Sequence, residues 1–268
     1  MSVPDHVLRF WRALDALVAE VRPTPWGAIV IDAGSPQIWD SNYARLDRPT
    51  AVRVADLERE LLPALATAGV EVEHVVTFHH EVHEELLAEL STRGHRIGWD
   101  AVLDLPPSTH PSAVTPGPAV EELPPGEELW DAVLTSFRVF GVEPEAAMEQ
   151  LLRIERDLLA AGGKRWFGVR DGAGRVVSLG ALVLLEGIGY VDNVATIPEA
   201  RGRGAAGAIT RRIVAEARAA GAGRTFLLAD PDEPVVLGLY DRIGFRDVGR
   251  LASTRGPVPG APAQPTNL

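Results

Sequence analysis

The run Pro198-Glu199-Ala200-Arg201-Gly202-Arg203-Gly204-Ala205-Ala206-Gly207-Ala208-Ile209 is the part of this sequence best suited to chemistry. It falls where a strand gives way to a long amphipathic helix. The first N–H groups of a helix have no partner within it, and the helix dipole adds positive potential at the same end. Gly202 and Gly204 leave the backbone bare. Arg201 and Arg203 add charge, and Ala205, Ala206 and Gly207 keep the first turn small. A diphosphate fits such a cradle. Read from the residues alone, a solvated surface turn is the competing reading. A dinucleotide fold is a third, since Gly202, Gly204 and Gly207 have the Gly-x-Gly-x-x-Gly spacing. Its context is wrong: the turn follows an antiparallel hairpin, and the next strand, Thr225-Phe226-Leu227-Leu228, has no acidic residue for a ribose.

Other residues with chemical potential are spread along the chain. Tyr240 lies in Leu239-Tyr240-Asp241-Arg242-Ile243-Gly244-Phe245, where packing beside Phe245 is the plain reading. Asp192 sits on a strand before the glycine turn; Glu186, Asp230, Asp232 and Glu233 flank it in sequence. Each reads on its own as a solvated loop or strand end. His79-His80-Glu81-Val82-His83 is one residue short of the His-Glu-x-x-His zinc motif and reads as a solvated helix start, so no metal is expected. Lys164 is the only lysine, which reads as coding bias. The chain has no cysteine, no Gly-x-x-x-x-Gly-Lys-Ser/Thr loop and no Gly-x-Ser-x-Gly elbow. Thiolate chemistry, phosphate-loop NTP hydrolysis and elbow-type serine hydrolysis have no support.

The elements that must position these residues follow from periodicity. The 268 residues suit two domains. Helices are predicted over 4–21, 54–68, 81–93, 127–140, 143–160, 204–219 and 234–242. Strands are predicted over 26–31, 70–78, 98–103, near Val120, and over 164–171, 176–185, 189–196, 225–228 and 245–251. Hairpins early in the second half, then strand-helix-strand, imply an α/β fold with a mixed, mostly antiparallel sheet flanked by helices. A proline-rich stretch marks a linker, and a second one a disordered tail. The expected division is a smaller N-terminal α/β domain over 1–104, a linker over 105–118, a second domain over 119–252, and a tail over 253–268. The formal charge of −11 argues against nucleic-acid partners. No apolar run reaches the roughly 20 residues of a membrane span, and no secretory signal opens the chain, so a soluble cytoplasmic protein is expected.

Two blocks resemble the GNAT family of acyltransferases. Arg201-Gly202-Arg203-Gly204-Ala205-Ala206 is similar to its Arg/Gln-x-x-Gly-x-Gly/Ala turn, preceded by Asn193-Val194-Ala195-Thr196-Ile197-Pro198. Leu239-Tyr240-Asp241-Arg242-Ile243-Gly244-Phe245 is similar to its Leu-Tyr-x-x-x-Gly-Phe element. The blocks come in the family's order over about 119–252. His95-Arg96-Ile97-Gly98-Trp99 resembles the ending of a second, reduced copy over 1–104, without a cofactor turn.

The resemblance implies transfer of an acetyl group from acetyl-CoA to a primary amine of a small molecule or peptide, by a monomer or homodimer. Val194, Ala195 and Thr196 would bond the pantetheine arm. The backbone of Arg201, Gly202, Arg203, Gly204, Ala205, Ala206 and Gly207 would hold the diphosphate. An amide near Val194 would polarise the thioester carbonyl. Tyr240 would protonate the leaving thiolate, as a phenol with a pKa of about 10 can. The attacking amine must also lose a proton; read from the residues, Asp192 is the first candidate base, with Glu186, Glu233, Asp230 and Asp232 as others, and solvation is the plainer reading of each. Relatives often carry Asn where this chain has Glu233, which keeps a non-catalytic acyl-CoA-binding or regulatory module as the alternative. Trp39, Asp40, Asn42 and Tyr43 face either an acceptor pocket or, as the plainer reading, the core and a turn.

Overall fold

The computed structural model describes residues 3–107, 109 and 117–258. Its backbone forms two compact units: of the described residues, 3–102 with 248–258 belong to the first and 103–247 to the second. Both combine a mixed sheet with flanking helices, the class that the residue periodicity implies.

In the first unit, α1 (Asp5–Val18) leads into β1 (Glu20–Thr24) and β2 (Gly27–Ile31), and then into β3 (Asn42–Leu46). Next come α2 (Val54–Ala68), β4 (Val72–Thr77), α3 (Glu84–Thr92) and β5 (Arg96–Leu105). The sheet order is β1-β2-β3-β4-β11-β5, where β11 (Arg246–Pro257) is the last strand among the described residues. Pairing of Ala252 with Thr77 through Pro257 with Val72 joins β11 antiparallel to β4. The strand therefore runs on past Leu251 into residues expected to be disordered. Pro257 closes the strand, where a missing N–H is tolerated. Residues 259–268, the rest of the expected tail, lie outside the described residues, as does most of the expected linker. Helix α2 has apolar residues at helical spacing. Leu57, Leu61, Ala64 and Leu65 pack on Ile29, Ile31, Ala44, Leu46 and Val75 of the sheet.

The second unit begins with β6 (Glu121–Leu123), α4 (Glu127–Val139) and α5 (Glu145–Ala160). The strands β7 (Lys164–Arg170), β8 (Val176–Leu185) and β9 (Ile188–Thr196) follow, then α6 (Ala205–Ala219), β10 (Arg224–Ala229) and α7 (Pro234–Ile243). The sheet order is β6-β7-β8-β9-β10, antiparallel except for the parallel step between β9 and β10. Side chains alternate across the sheet. Trp166, Leu179 and Ala181 meet Val133, Phe137, Met148 and Leu152 of α4 and α5 on one face. Gly180 faces α6 on the other, where a Cβ would come within 2.7 Å of Ile209 Cγ2 and 3.1 Å of Val194 Cγ2 on the neighbouring strand.

Candidate active site

Two irregularities in β9 open the second unit's sheet. First, the register against β8 slips: Leu179 pairs with Ala195 but Ala181 with Asp192, so β9 carries one residue more than β8. This is a β-bulge, and Asn193 within it takes a left-handed φ of 51°. Second, β9 and β10 pair through Ile188–Arg224, Gly189–Thr225 and Tyr190–Phe226, and among the described residues no further. Beyond Tyr190 the strands part. The backbone of 191–196 then has a ladder on the β8 side and an open edge on the other. An extended chain bearing amides can bond such an edge as an added strand does.

The parted strand leads through a short 3₁₀ turn, Pro198–Ala200, into the glycine turn. Arg201, Gly202, Arg203 and Gly204 are all exposed. Gly202 and Gly204 take φ of 75° and 80°, and a Cβ at either would meet nothing within 4 Å. A side chain would thus be strained and would also fill the cradle. Gly204 is the N-cap of α6; it supplies no side-chain cap, and the first turn has no acidic residue. Arg201 Nε donates to the Thr196 carbonyl at 3.2 Å, holding the turn against the end of β9. Helix α7 crosses α6 at Gly207, where a Cβ would come within 3.2 Å of Leu239 Cδ1.

Tyr240, the next residue on α7, is 7% exposed and stands edge-on to Phe245, with ring centroids 5.8 Å apart. Burial pushes its hydroxyl up to about 12, so it is a proton donor throughout the neutral range. Asp192 lies on the face opposite α6. Its carboxylate Oδ2 is 2.7 Å from Lys164 Nζ, whose other neighbour is Glu155 Oε2 of α5 at 2.5 Å. Burial opposes charge on Lys164, but Asp192 and Glu155 outweigh it and hold the ammonium above its ordinary pKa. Burial pushes Glu155 up against the pull of Lys164. Asn193 Nδ2 donates to Glu155 Oε1 at 3.2 Å, tying the bulge to the same cluster.

The sequence reading missed Lys164, Glu155 and the part played by the Asn193 side chain. The one available signal was a single lysine among arginines, dismissed as coding bias.

The remaining candidates fall elsewhere. Glu186 occupies the β8–β9 hairpin turn with φ of 53°. That is six positions before Asp192, roughly 20 Å along the strand at about 3.3 Å per residue. Asp230, Asp232 and Glu233 are exposed in the loop before α7, where Asp230 Oδ1 accepts the Asp232 N–H at 2.8 Å. His83 is buried, not solvated: Thr77 Oγ1 donates to its Nδ1 at 2.5 Å, and its Nε2 donates to the Thr50 carbonyl at 3.0 Å. Among the described residues no group of three or more His, Cys, Asp or Glu is disposed to hold a metal ion. Asn42 braces a turn through the carbonyls of Ser35 and Ile38, and Tyr43 donates to Asp15. Trp39 packs edge-on to His74 beneath the Arg255 guanidinium. Trp39, Asn42 and Tyr43 are thus framework.

Comparison with known proteins bears on this geometry. Residues 127–245 match the family described as Acetyltransferase (GNAT) family. No curated protein matches the chain in sequence. Among solved structures, a conserved protein of unknown function from Staphylococcus epidermidis ATCC 12228 superposes with a TM-score of 0.66 at 12% identity, over 89% of this chain and 94% of that one. A GCN5-related N-acetyltransferase from Kribbella flavida superposes with 0.61 at 17%, over 94% and 95%. One from Sphaerobacter thermophilus superposes with 0.58 at 18%, over 95% and 85%. At these identities the likeness is one of fold, and it extends over the N-terminal half.

Proposed function

We propose that this chain, whose residues 127–245 match the GNAT acetyltransferase family, moves an acetyl group from acetyl-CoA to a primary amine of a small molecule or protein. The observation that carries the reading is the open corner of the second unit: a strand that leaves its neighbour after Tyr190 and runs into an uncapped helix N-terminus at Gly204. The open edge over Val194, Ala195 and Thr196 suits the amides of a pantetheine arm. The backbone from Arg201 to Gly207, with two guanidinium groups, suits a diphosphate.

In this reading the chain's residues divide the work of one acyl transfer. The amine nitrogen bonds to the thioester carbonyl carbon, and the carbon–sulfur bond breaks. An amide near Val194 donates to the oxygen as it gains charge. Tyr240 gives its proton to the departing sulfur, and Asp192 takes the proton the nitrogen must lose, directly or through water. The same reading places the protein in the cytoplasm as a monomer or homodimer, with transfer carried by 119–252 and no cofactor turn in 1–104.

A non-catalytic acyl-CoA-binding module is the second reading, favoured by one observation: the Asp192 carboxylate is already engaged by Lys164. Incubation of the protein with acetyl-CoA and a panel of amines, read by thiol release, separates the two. Turnover that falls in Tyr240→Phe is expected. Calorimetry that finds no binding of coenzyme A overturns both readings.

A further inference from the structure

Resting on the acetyltransferase reading, we infer that Glu155 of α5 is a positioning residue for the transfer: it pins the bulge in β9 through Asn193 and holds Asp192 through Lys164. The need for such a pin follows from the topology. Past Tyr190, β9 has lost β10, so residues 191–196 are laddered on one side only. A bulge in a strand held on one side can slip its register, which would turn the Val194 amide away from the open edge. The far end is anchored: Ser178 Oγ donates to the Ala195 carbonyl at 2.9 Å and lies 2.8 Å from Thr196 Oγ1. The bulge itself is held by the Asn193 side chain on Glu155 Oε1.

The composition of the cluster supports this assignment. The Lys164 side chain is 1% exposed and that of Glu155 8%, while Asp192, at 24%, is the member that reaches solvent. Buried ion clusters stabilise a fold no better than well-packed apolar side chains of the same volume. Here the cluster borders the apolar core: the Trp166 ring, which packs with Met148 and Leu152, lies 4.7 Å from Lys164 Nζ. An apolar cluster would serve packing as well, but it could not grip Asn193 or orient a carboxylate. A lysine suits the task because its compact ammonium fits between two carboxylates, whereas a planar guanidinium needs more room.

The test compares Glu155→Met, which removes both contacts, with Glu155→Gln, which keeps an oxygen for Asn193. Coenzyme A affinity is read by calorimetry, and kcat and KM by thiol release. Glu155→Met is expected to lower kcat at least tenfold, with coenzyme A affinity and the KM for acetyl-CoA within about threefold of the unaltered protein; a small misplacement of reacting groups has such effects. Glu155→Gln is expected to recover part of that loss. If Glu155→Met does not fold, Asn193→Gly decides: it keeps the left-handed backbone at no steric cost and removes only the amide that grips Glu155, so it should lose kcat as above. Full kcat in Glu155→Met or in Asn193→Gly, or a fall in kcat matched by an equal loss of coenzyme affinity, overturns the inference. An unaltered protein that binds no coenzyme A overturns the acetyltransferase reading and takes this inference with it. An active unaltered protein equalled by Glu155→Met overturns this inference alone.

Discussion

The two units each contain a parallel strand pair bridged by a helix, and the corners where strand meets helix differ at every point that matters for a ligand. In the first unit, β3 and β4 stay paired to their ends, from Ala44–Val75 to Leu46–Thr77, and Phe78 N–H extends the ladder to the Leu46 carbonyl. In the second, β9 and β10 part after three pairs. The turn before α2, Asp47 to Arg53, has no glycine, and Asp47 is gripped by Arg12 and Arg45. At the start of α2 the Asp56 carboxylate accepts the Arg53 N–H at 3.1 Å, so the helix supplies its own anion. The start of α6 has no such group. One corner is satisfied from within and the other is left for an external anion. On the acetyltransferase reading, a fold alone therefore does not make a coenzyme site; the difference lies in where pairing stops and in what caps the helix.

The comparison can be broken most directly by giving α6 what α2 has. Gly204→Glu places a carboxylate at the open helix start and a side chain at φ of 80°. Coenzyme A affinity measured by calorimetry is expected to fall at least about a hundredfold, from repulsion and occlusion together. Affinity that survives the change would remove the basis for a diphosphate cradle. Next in size is Tyr240→Phe, for which kcat should fall by about a hundredfold, in the range for loss of a general acid, with little change in KM for acetyl-CoA. Because burial holds the hydroxyl at about 12, the unaltered protein should show no loss of kcat from this group between pH 7 and pH 10.

Acid stability should separate the units as well. All described histidines lie in the first. Burial holds His74 at about 3, with the nearby Arg255 charge adding to the effect, and burial also lowers His83. A folded pKa below the unfolded 6.5 means that the unfolded chain gains protons the folded unit cannot take. Stability contributed by neutral His74 is full above pH 6.5 and is lost, by about 1.4 kcal/mol per pH unit, as pH falls toward 3. Urea unfolding across pH 5 to 7.5 should show this slope, and His74→Gln should reduce it. Proteolytic nicking at pH 5 should begin in residues 3–102. The smallest effect expected is that of Asp56→Ala, which should lower the unfolding midpoint by a few degrees and leave coenzyme A affinity unchanged. A changed affinity would mean that the α2 corner takes part in binding after all.

Much of this architecture was legible in the sequence, and the exceptions have physical causes. The helix over 54–68 and the strand over 176–185 stand where the sequence puts them, because the apolar residues of the first repeat at 3.6 and the second is a nearly continuous apolar run of strand length. The glycine turn was legible because glycine at a left-handed position is a backbone requirement visible in the letters. The strands β1 and β3 were missed. β1 is mostly exposed, with Pro23 and alternating charges. β3 reads as polar, yet Asn42, Tyr43 and Arg45 are fully buried. Tyr43 and Arg45 find their partner Asp15 about thirty residues away, and a local window cannot see it. The Lys164 cluster fails the same way, since its members come from α5, β7 and β9. The bulge leaves no trace in composition at all.

The position of β11 has a consequence for how the molecule is made. The strand that separates β4 from β5 is encoded after the whole of the second unit. While the polypeptide emerges from the ribosome, its first hundred residues must wait with β4 unsheathed on that flank, a template for wrong partners. A fragment ending at 104 should therefore aggregate, and adding a peptide of residues 246–257 in trans should rescue its solubility.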